Sequence, residues 1–183
     1  ITWPGDMARA EAWLQATRGI AVDDRIGLGW DVHPLVPGRT FFLAGVCVTT
    51  EFGPKGHSDG DPLAHAIADA LLGAAALGDV GTLFPDTDPK CAGISGIAVL
   101  RGVVEKLARD GFVPSQVDAV LITDVPKIAP RRDAIRVALA QVLNLPLERV
   151  SLKGERTEGL GALAGGQGVE CHAIARVTHK AQS

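Results

Sequence analysis

The alternation of apolar and polar positions changes period several times along the 183 residues. Residues 25–29 and 40–49 read as strands, the second rich in Phe, Val and Thr. The period then becomes helical. Asp61 is a good N-cap, Pro62 fits the first helical position, and an Ala- and Leu-rich helix runs from Leu63 to about Leu77, closed by Gly78. Residues 79–89, dense in Asp, Gly and Pro, read as a loop. A second helix over 97–109 places Ile97, Leu100, Val104 and Leu107 on one face and stops near Gly111. A strand over 117–123, a helix over 131–143 with Ile135, Leu139 and Leu143 spaced by four, and strands over 150–153 and 169–178 complete the pattern. This order predicts an α/β or α+β fold: a mixed sheet covered by helices, without internal repeats. The compact domain is expected to span 25–183. Residues 1–24 form a separate N-terminal helix and linker, with Asp6 as a helix cap.

Chemistry-bearing residues concentrate at 56–65, where two histidines, two aspartates and a serine lead into the first helix. His57 to Asp61 fall in the loop before the helix start, where free N–H groups and the helix dipole favour an anion. His65 and Asp69 are four apart and share a face. Upstream, Asp31 and His33 are two apart, so an extended segment points both side chains the same way. A lone histidine is ordinarily a surface or hydrogen-bonded residue. Together, however, Asp31, His33 and His65 make one carboxylate and two imidazoles, the ligand set of a catalytic zinc or similar divalent ion with a fourth position for substrate.

Two later loops also carry candidate chemistry. Residues 124–130 are bracketed by prolines and stiff enough to offer fixed main-chain groups to a flat ligand, or are a plain strand-to-helix connection. Residues 153–161 hold two carboxylates, two cations and flanking glycines, which suit a solvated turn; beside a diphosphate, Glu158 would hold a hard cation and Arg156 would grip oxygens.

Composition narrows the class. The net charge of −3 leaves no basic footprint for nucleic acid, and no apolar run is long enough to cross a membrane. No secretory leader opens the chain, and three scattered cysteines make no disulfide framework or metal spacing, so a cytoplasmic protein is expected.

The runs Gly-Trp-Asp-Val-His (29–33), His-Ser-Asp-Gly-Asp (57–61), Asp-Ala-Leu-Leu-Gly-Ala-Ala-Ala-Leu-Gly-Asp (69–79), Leu-Phe-Pro-Asp-Thr-Asp-Pro (83–89), Pro126-Lys127 and Thr-Glu-Gly-Leu-Gly (157–161), with His65, resemble the 2-C-methyl-D-erythritol 2,4-cyclodiphosphate synthase family over about 25–180. The resemblance implies an enzyme of non-mevalonate isoprenoid biosynthesis that converts 4-diphosphocytidyl-2-C-methyl-D-erythritol 2-phosphate to the cyclodiphosphate and CMP. It implies Zn²⁺ or another divalent transition metal on Asp31, His33 and His65, and Mg²⁺ or Mn²⁺ on Glu158. His57 and Ser58 then orient the reacting phosphate, with His57 the transition-state donor. Asp79, Val80, Gly81, Phe84, Pro85, Asp86, Thr87 and Asp88 match the methylerythritol pocket. Thr123, Asp124, Val125, Pro126, Lys127, Ile128 and Ala129 match the cytosine pocket, and Glu155, Arg156, Thr157 and Glu158 face the diphosphate. The resemblance further implies a homotrimer, sheets facing the threefold axis and helices outward, with sites between subunits.

The chain departs from the family at Lys-Gly-Glu-Arg-Thr-Glu (153–158), where Arg156 replaces a threonine that contacts the diphosphate and Glu155 adds a repulsive charge. Ala162 and Gly165 replace a phenylalanine and an arginine near the trimer axis. These changes leave open a second class: a metal- and cytidine-nucleotide-binding protein with weakened turnover. A zinc hydrolase would need a base beside the metal, and no Glu adjoins His65. Residues 1–14 resemble the end of the 4-diphosphocytidyl-2-C-methyl-D-erythritol cytidylyltransferase family, which implies a fused or associated cytidylyltransferase.

Overall fold

The computed structural model describes residues 24–56, 59–85, 87–91 and 93–179, together with Met7, Arg9 and Glu11. The expected N-terminal helix and linker, apart from those three residues and Asp24, lie outside the described residues, as do His57, Ser58 and Asp86.

Strand β1 (Asp24–Pro37) is far longer than the alternating stretch predicts, because it pairs with β7 (Gly168–His179) from Asp24 opposite Thr178 to Pro34 opposite Gly168. Its start is tied down: the Asp24 carboxylate accepts from the Arg176 guanidinium and from the Thr178 hydroxyl. The predicted strand over 40–49 is instead a hairpin, β2 (Phe41–Leu43) and β3 (Val46–Thr49). The chain reverses at Ala44 and Gly45, whose φ angles of 49° and 79° no strand can hold. A short β4 (Phe52–Pro54), hidden in sequence by its Gly and Pro, pairs with the end of β1.

Helix α1 (Pro62–Ala74) starts as predicted: the Asp61 side chain accepts from the Ala64 N–H at 3.0 Å, and Pro62 occupies the first turn. It ends before Leu77, because Ala76 turns left-handed (φ 57°) and the Leu77 N–H closes back on the Leu72 carbonyl at 2.9 Å. The 79–89 stretch is not all loop, since Asp79 caps a one-turn helix α2 (Val80–Leu83) by accepting from the Thr82 N–H. Helix α3 (Gly96–Arg109) precedes β5 (Phe112–Ile122), which begins earlier than predicted; a register shift between Pro114 and Gln116 disguises its alternation. Helix α4 (Arg132–Leu143) and β6 (Val150–Glu155) follow.

The main sheet runs β4-β1-β7-β5-β6, with β5 and β6 parallel and the other pairs antiparallel. This is the expected mixed sheet. Helices α1, α3 and α4 cover one face. There the core gathers Leu63, Ile67, Leu71 and Leu72 of α1, Leu100 and Leu107 of α3, and Ile135, Leu139 and Leu143 of α4. Each such leucine or isoleucine gains about 1.5–3 kcal/mol over an exposed one. The opposite face carries Ile26, Leu28, Trp30 and Ile174, exposed by 72%, 69%, 52% and 50%. Cys47, Cys91 and Cys171 are free thiols.

Gly27 and Gly29 decide how closely α1 approaches the sheet. A Cβ on Gly29 would lie 1.9 Å from the Ala66 carbonyl oxygen, and one on Gly27 would lie 2.1 Å from that of Ala70. Glycine on the strand and alanine on the helix thus let the two backbones nearly touch, which brings His65 down to the level of Asp31.

Candidate functional site

Asp31, His33 and His65 converge from those two elements. The Asp31 Oδ2 lies 2.9 Å from His33 Nε2 and 3.2 Å from His65 Nδ1. One donor atom from each residue falls within 4.8 Å of the others, which can hold a single metal ion. His33 Nδ1 donates to the Lys55 carbonyl at 2.9 Å, so Nε2, which faces Asp31, is the nitrogen that would take a metal in place of its proton. The sequence pattern did not point to Lys55, because a backbone carbonyl leaves no residue-type signature.

The electrostatics fit a cation. Hydrogen bonding to Asp31 raises the His33 pKa above the ordinary histidine value, against burial. Burial would lower His65, but the hydrogen bond and charge of Asp31 prevail and raise it. Burial would also raise Asp31, yet the two imidazoles hold its carboxyl below the usual range. A half-buried carboxylate that attracts positive charge from both sides, with a lone pair already aimed by the second ring nitrogen of His33, suits a divalent transition metal.

Asp61 supports this centre without joining it. Its fully buried carboxylate caps α1, four residues before His65, and also accepts from the Ala44 N–H of the β2–β3 turn at 2.5 Å. Burial pushes its pKa up to about 7. Asp59 accepts from the Gly96 N–H at the start of α3 and from the Asp61 N–H. Asp69, on the His65 face as predicted, accepts from the Val80 N–H at 2.8 Å. It thereby anchors α2, within the segment expected to receive the sugar.

A second feature lies at the ends of β5 and β6. Residues 123, 124, 126–129 and 154–156 line a cleft of about 240 Å³. Thr123, Asp124, Pro126, Lys127, Ile128 and Ala129 all contribute, as do Glu155 and Arg156, whereas Val125 does not line it. Thr123 is buried, its hydroxyl near the carbonyls of Val125 (2.6 Å) and Gly168 (3.1 Å), and the Val125–Pro126 peptide is cis. Arg132 from the first turn of α4 also lines the cleft. The basic pair after Pro130 was its signal in the sequence, read there only as a helix start. Glu158 is exposed with φ 53°, and Thr157 beside it is held by Asp124.

Strand register relates the two features. Asp31 pairs with Cys171, Cys171 with Leu121, and Leu121 with Gly154. The Asp31, His33 and His65 group and the cleft therefore share one row of the sheet, three strand spacings or about 14 Å apart.

Known proteins share this fold and much of the sequence. The sequence pattern of the YgbB family matches residues 24–178. The 2-C-methyl-D-erythritol 2,4-cyclodiphosphate synthase of Burkholderia mallei is 49% identical over 160 residues, 87% of this chain and 99% of the relative. A solved 2C-methyl-D-erythritol-2,4-cyclodiphosphate synthase in a CDP-bound form superposes with a TM-score of 0.78 at 38% identity, covering 84% of this chain and 99% of that one. The bifunctional IspDF of Campylobacter jejuni superposes with a TM-score of 0.83 at 34% identity, covering 87% of this chain and 43% of that one. Family match, sequence identity and superposition lead to one assignment: this chain belongs to the 2-C-methyl-D-erythritol 2,4-cyclodiphosphate synthase family.

Proposed function

We propose that the chain converts 4-diphosphocytidyl-2-C-methyl-D-erythritol 2-phosphate to 2-C-methyl-D-erythritol 2,4-cyclodiphosphate and CMP. The convergence of Asp31, His33 and His65 carries this reading, in a chain 49% identical to a synthase of that name. An oxygen of the 2-phosphate attacks the β-phosphorus; the bond from β-phosphorus to the bridging oxygen breaks, and its electron pair leaves with CMP. The nucleophile is already ionised, so the protein needs to align the two phosphates and neutralise charge rather than remove a proton.

Asp31, His33 and His65 would hold Zn²⁺ or another divalent transition metal, and Glu158 would hold Mg²⁺ or Mn²⁺. Bound ions would supply Lewis-acid stabilisation of the phosphate oxygens. His57 and Ser58 orient the attacking phosphate by hydrogen bonds. Asp79, Val80 and Gly81, with residues 84–88, receive the methylerythritol. Main-chain groups of 123–129 read cytosine, and the side chains of Lys127 and Arg156 face phosphate oxygens.

The working form is a homotrimer, supported by the apolar sheet face around Ile26, Leu28 and Trp30. Such a trimer lets the cleft of one copy face the metal-ligating group of the next. No helix among the described residues is long and apolar enough to cross a membrane. A fused or associated cytidylyltransferase supplies the cytidylyl group, joined to a phosphate already on the sugar; the bifunctional Campylobacter jejuni protein is the precedent for a fusion.

Glu155 and Arg156 at the cleft favour one other reading: a protein that binds metal and cytidine nucleotide but turns over weakly. Incubation of the synthetic substrate with Zn²⁺ and Mg²⁺ separates the two. The cyclase releases CMP and cyclodiphosphate in equal amounts over many turnovers. Substrate that binds and stays intact would establish the weaker reading.

A further inference from the structure

Asp124 belongs to the loop that reads the base, yet its carboxylate is spent elsewhere. Oδ1 accepts from the Thr157 N–H at 3.0 Å. Oδ2 accepts from the Thr157 hydroxyl at 2.8 Å and from the Gly165 N–H at 2.7 Å. These donors come from two different turns. Thr157 stands between Arg156 and Glu158, and its hydroxyl accepts from the Gly159 N–H at 3.2 Å while its carbonyl accepts from the Leu160 N–H at 2.9 Å. Gly165 sits in the one-turn 3₁₀ helix Ala164–Gly166, with a left-handed φ of 71°.

One charged acceptor thus closes three backbone segments on each other. Bonds to an ionised acceptor are roughly twice as strong as neutral ones, so a single carboxylate with three donors can order turns that few other contacts hold. Hydrogen bonds from Thr157, helped by Gly165 and the nearby Arg156 charge, keep the Asp124 carboxyl below the usual carboxylate range. The tie is therefore made throughout the neutral range. Pre-ordering matters here because Glu158 is exposed and left-handed, a conformation that is costly for a non-glycine residue unless its neighbours fix it.

We propose that Asp124 is a positioning residue whose carboxylate ties the base-reading loop to the turns that carry Arg156 and Glu158. The nucleotide and the diphosphate-bound cation then meet one preformed unit rather than two independent loops. This rests on the proposed function for the identity of the ligands, but the tie itself rests on hydrogen bonds within the chain.

The test is calorimetry of CDP and UDP with and without Mg²⁺, together with amide hydrogen exchange of residues 156–166, on the full chain. In Asp124→Ala the Thr157 and Gly165 amides should exchange faster. The Mg²⁺-dependent part of CDP affinity should fall by about tenfold or more, the equivalent of one lost charged hydrogen bond. The preference for CDP over UDP without Mg²⁺ should stay. Thr157→Ser keeps the hydroxyl and should keep the amide protection of residues 156–166, whereas Thr157→Val, which retains the amide donors of Thr157 and Gly165, should lose part of it. Unchanged exchange in Asp124→Ala would overturn the proposal, as would an equal loss of CDP affinity with and without Mg²⁺, which would make Asp124 a base reader. A wild-type chain indifferent to CDP and Mg²⁺ would sink the proposed function and the coupling with it. Failure of the tie alone differs, because it appears as unchanged exchange in a chain that still responds to both ligands.

Discussion

Asp31, His33 and His65 project from a 14-residue strand and a 13-residue helix whose backbones touch through Gly27, Gly29, Ala66 and Ala70. Arg156 and Glu158, by contrast, stand at the end of β6 and on turns where Glu158, Gly159, Gly161, Gly165 and Gly166 all have positive φ. The first region has its geometry fixed by packing, and a shift of any part moves the ligand set. The second is fixed by a few hydrogen bonds in exposed backbone, and side chains there change without disturbing a core. The residues that the resemblance marks as departures, Glu155, Arg156, Ala162 and Gly165, all fall in the second region. Rigid elements carry the interaction that tolerates least displacement, and loops carry the ones that adapt.

The contrast is broken most strongly at the seam. Gly29→Ala places a methyl 1.9 Å from the Ala66 carbonyl oxygen, a backbone atom that can move only with the helix. A cost of about 3 kcal/mol or more is expected, with loss of metal affinity as His65 lifts away from Asp31. Thermal unfolding and metal titration of the purified variant would show both; native stability with native affinity would mean that the helix is not held by this approach.

Next in size is Asp61. Asp61→Ala removes the α1 cap and strands the Ala44 N–H, for an expected loss of about 2 kcal/mol in denaturant unfolding. Because burial raises the Asp61 pKa to about 7, the native state favours its neutral form. Asp61→Asn should therefore lose less than Asp61→Ala, and both losses should shrink as pH rises from about 3.8 to about 7, where ionising the buried wild-type carboxyl costs stability. Equal losses would show that the cap does not depend on the side-chain oxygen.

The metal-ligating group should also respond to pH. Asp31 raises the pKa of both His33 and His65, and protons compete with the metal for the same nitrogens. As pH is lowered, metal affinity should begin to fall already above pH 6.5, the ordinary histidine value, by up to about tenfold per unit for each imidazole. The metal-free protein behaves in the opposite sense. The raised imidazoles contribute stability that is complete below about 6.5 and lost as pH rises through their higher folded values, while the lowered Asp31 contributes stability lost below about 3.8. The difference in melting temperature between metal-free wild type and His65→Ala should thus be greatest between those limits. A flat difference would mean the three groups do not interact.

The smallest effect is expected in the turns. Gly161 has φ 78° and open space around its Cβ position, so Gly161→Ala should cost only the backbone strain of about 1–2 kcal/mol and leave metal affinity unchanged. A collapse of metal binding in that variant would erase the distinction between the two regions.

Periodicity made the helices and the mixed sheet legible, because Ile135, Leu139 and Leu143 or Leu100 and Leu107 bury as their spacing predicts. The Asp31, His33 and His65 group was legible for a similar reason, since strand alternation and family resemblance pointed to the same side chains. Contacts between backbones left less trace. Gly27 and Gly29 look like weak strand residues until the helix is seen resting on them, and the length of β1 depends on β7, more than 130 residues away. The hairpin at Ala44 and Gly45 was missed because Ala44, a poor turn residue, is held at positive φ while its N–H bonds Asp61, 17 residues downstream. Asp124 was read as part of a nucleotide pocket, and only three-dimensional placement shows its carboxylate turned toward Thr157 and Gly165.

The most direct test of the central claim, that Asp31, His33 and His65 form one metal centre on which cyclisation depends, is a paired measurement on wild type and His65→Ala. Elemental analysis gives the metal bound per chain, and the synthetic substrate gives the rate of CMP release. The expected result is one tightly held transition metal in wild type and none in the variant. CMP release should drop by about a thousandfold, the scale of several kcal/mol of charge stabilisation lost from the transition state. A variant that keeps one metal per chain, or that loses the metal and still releases CMP at the wild-type rate, would contradict the account.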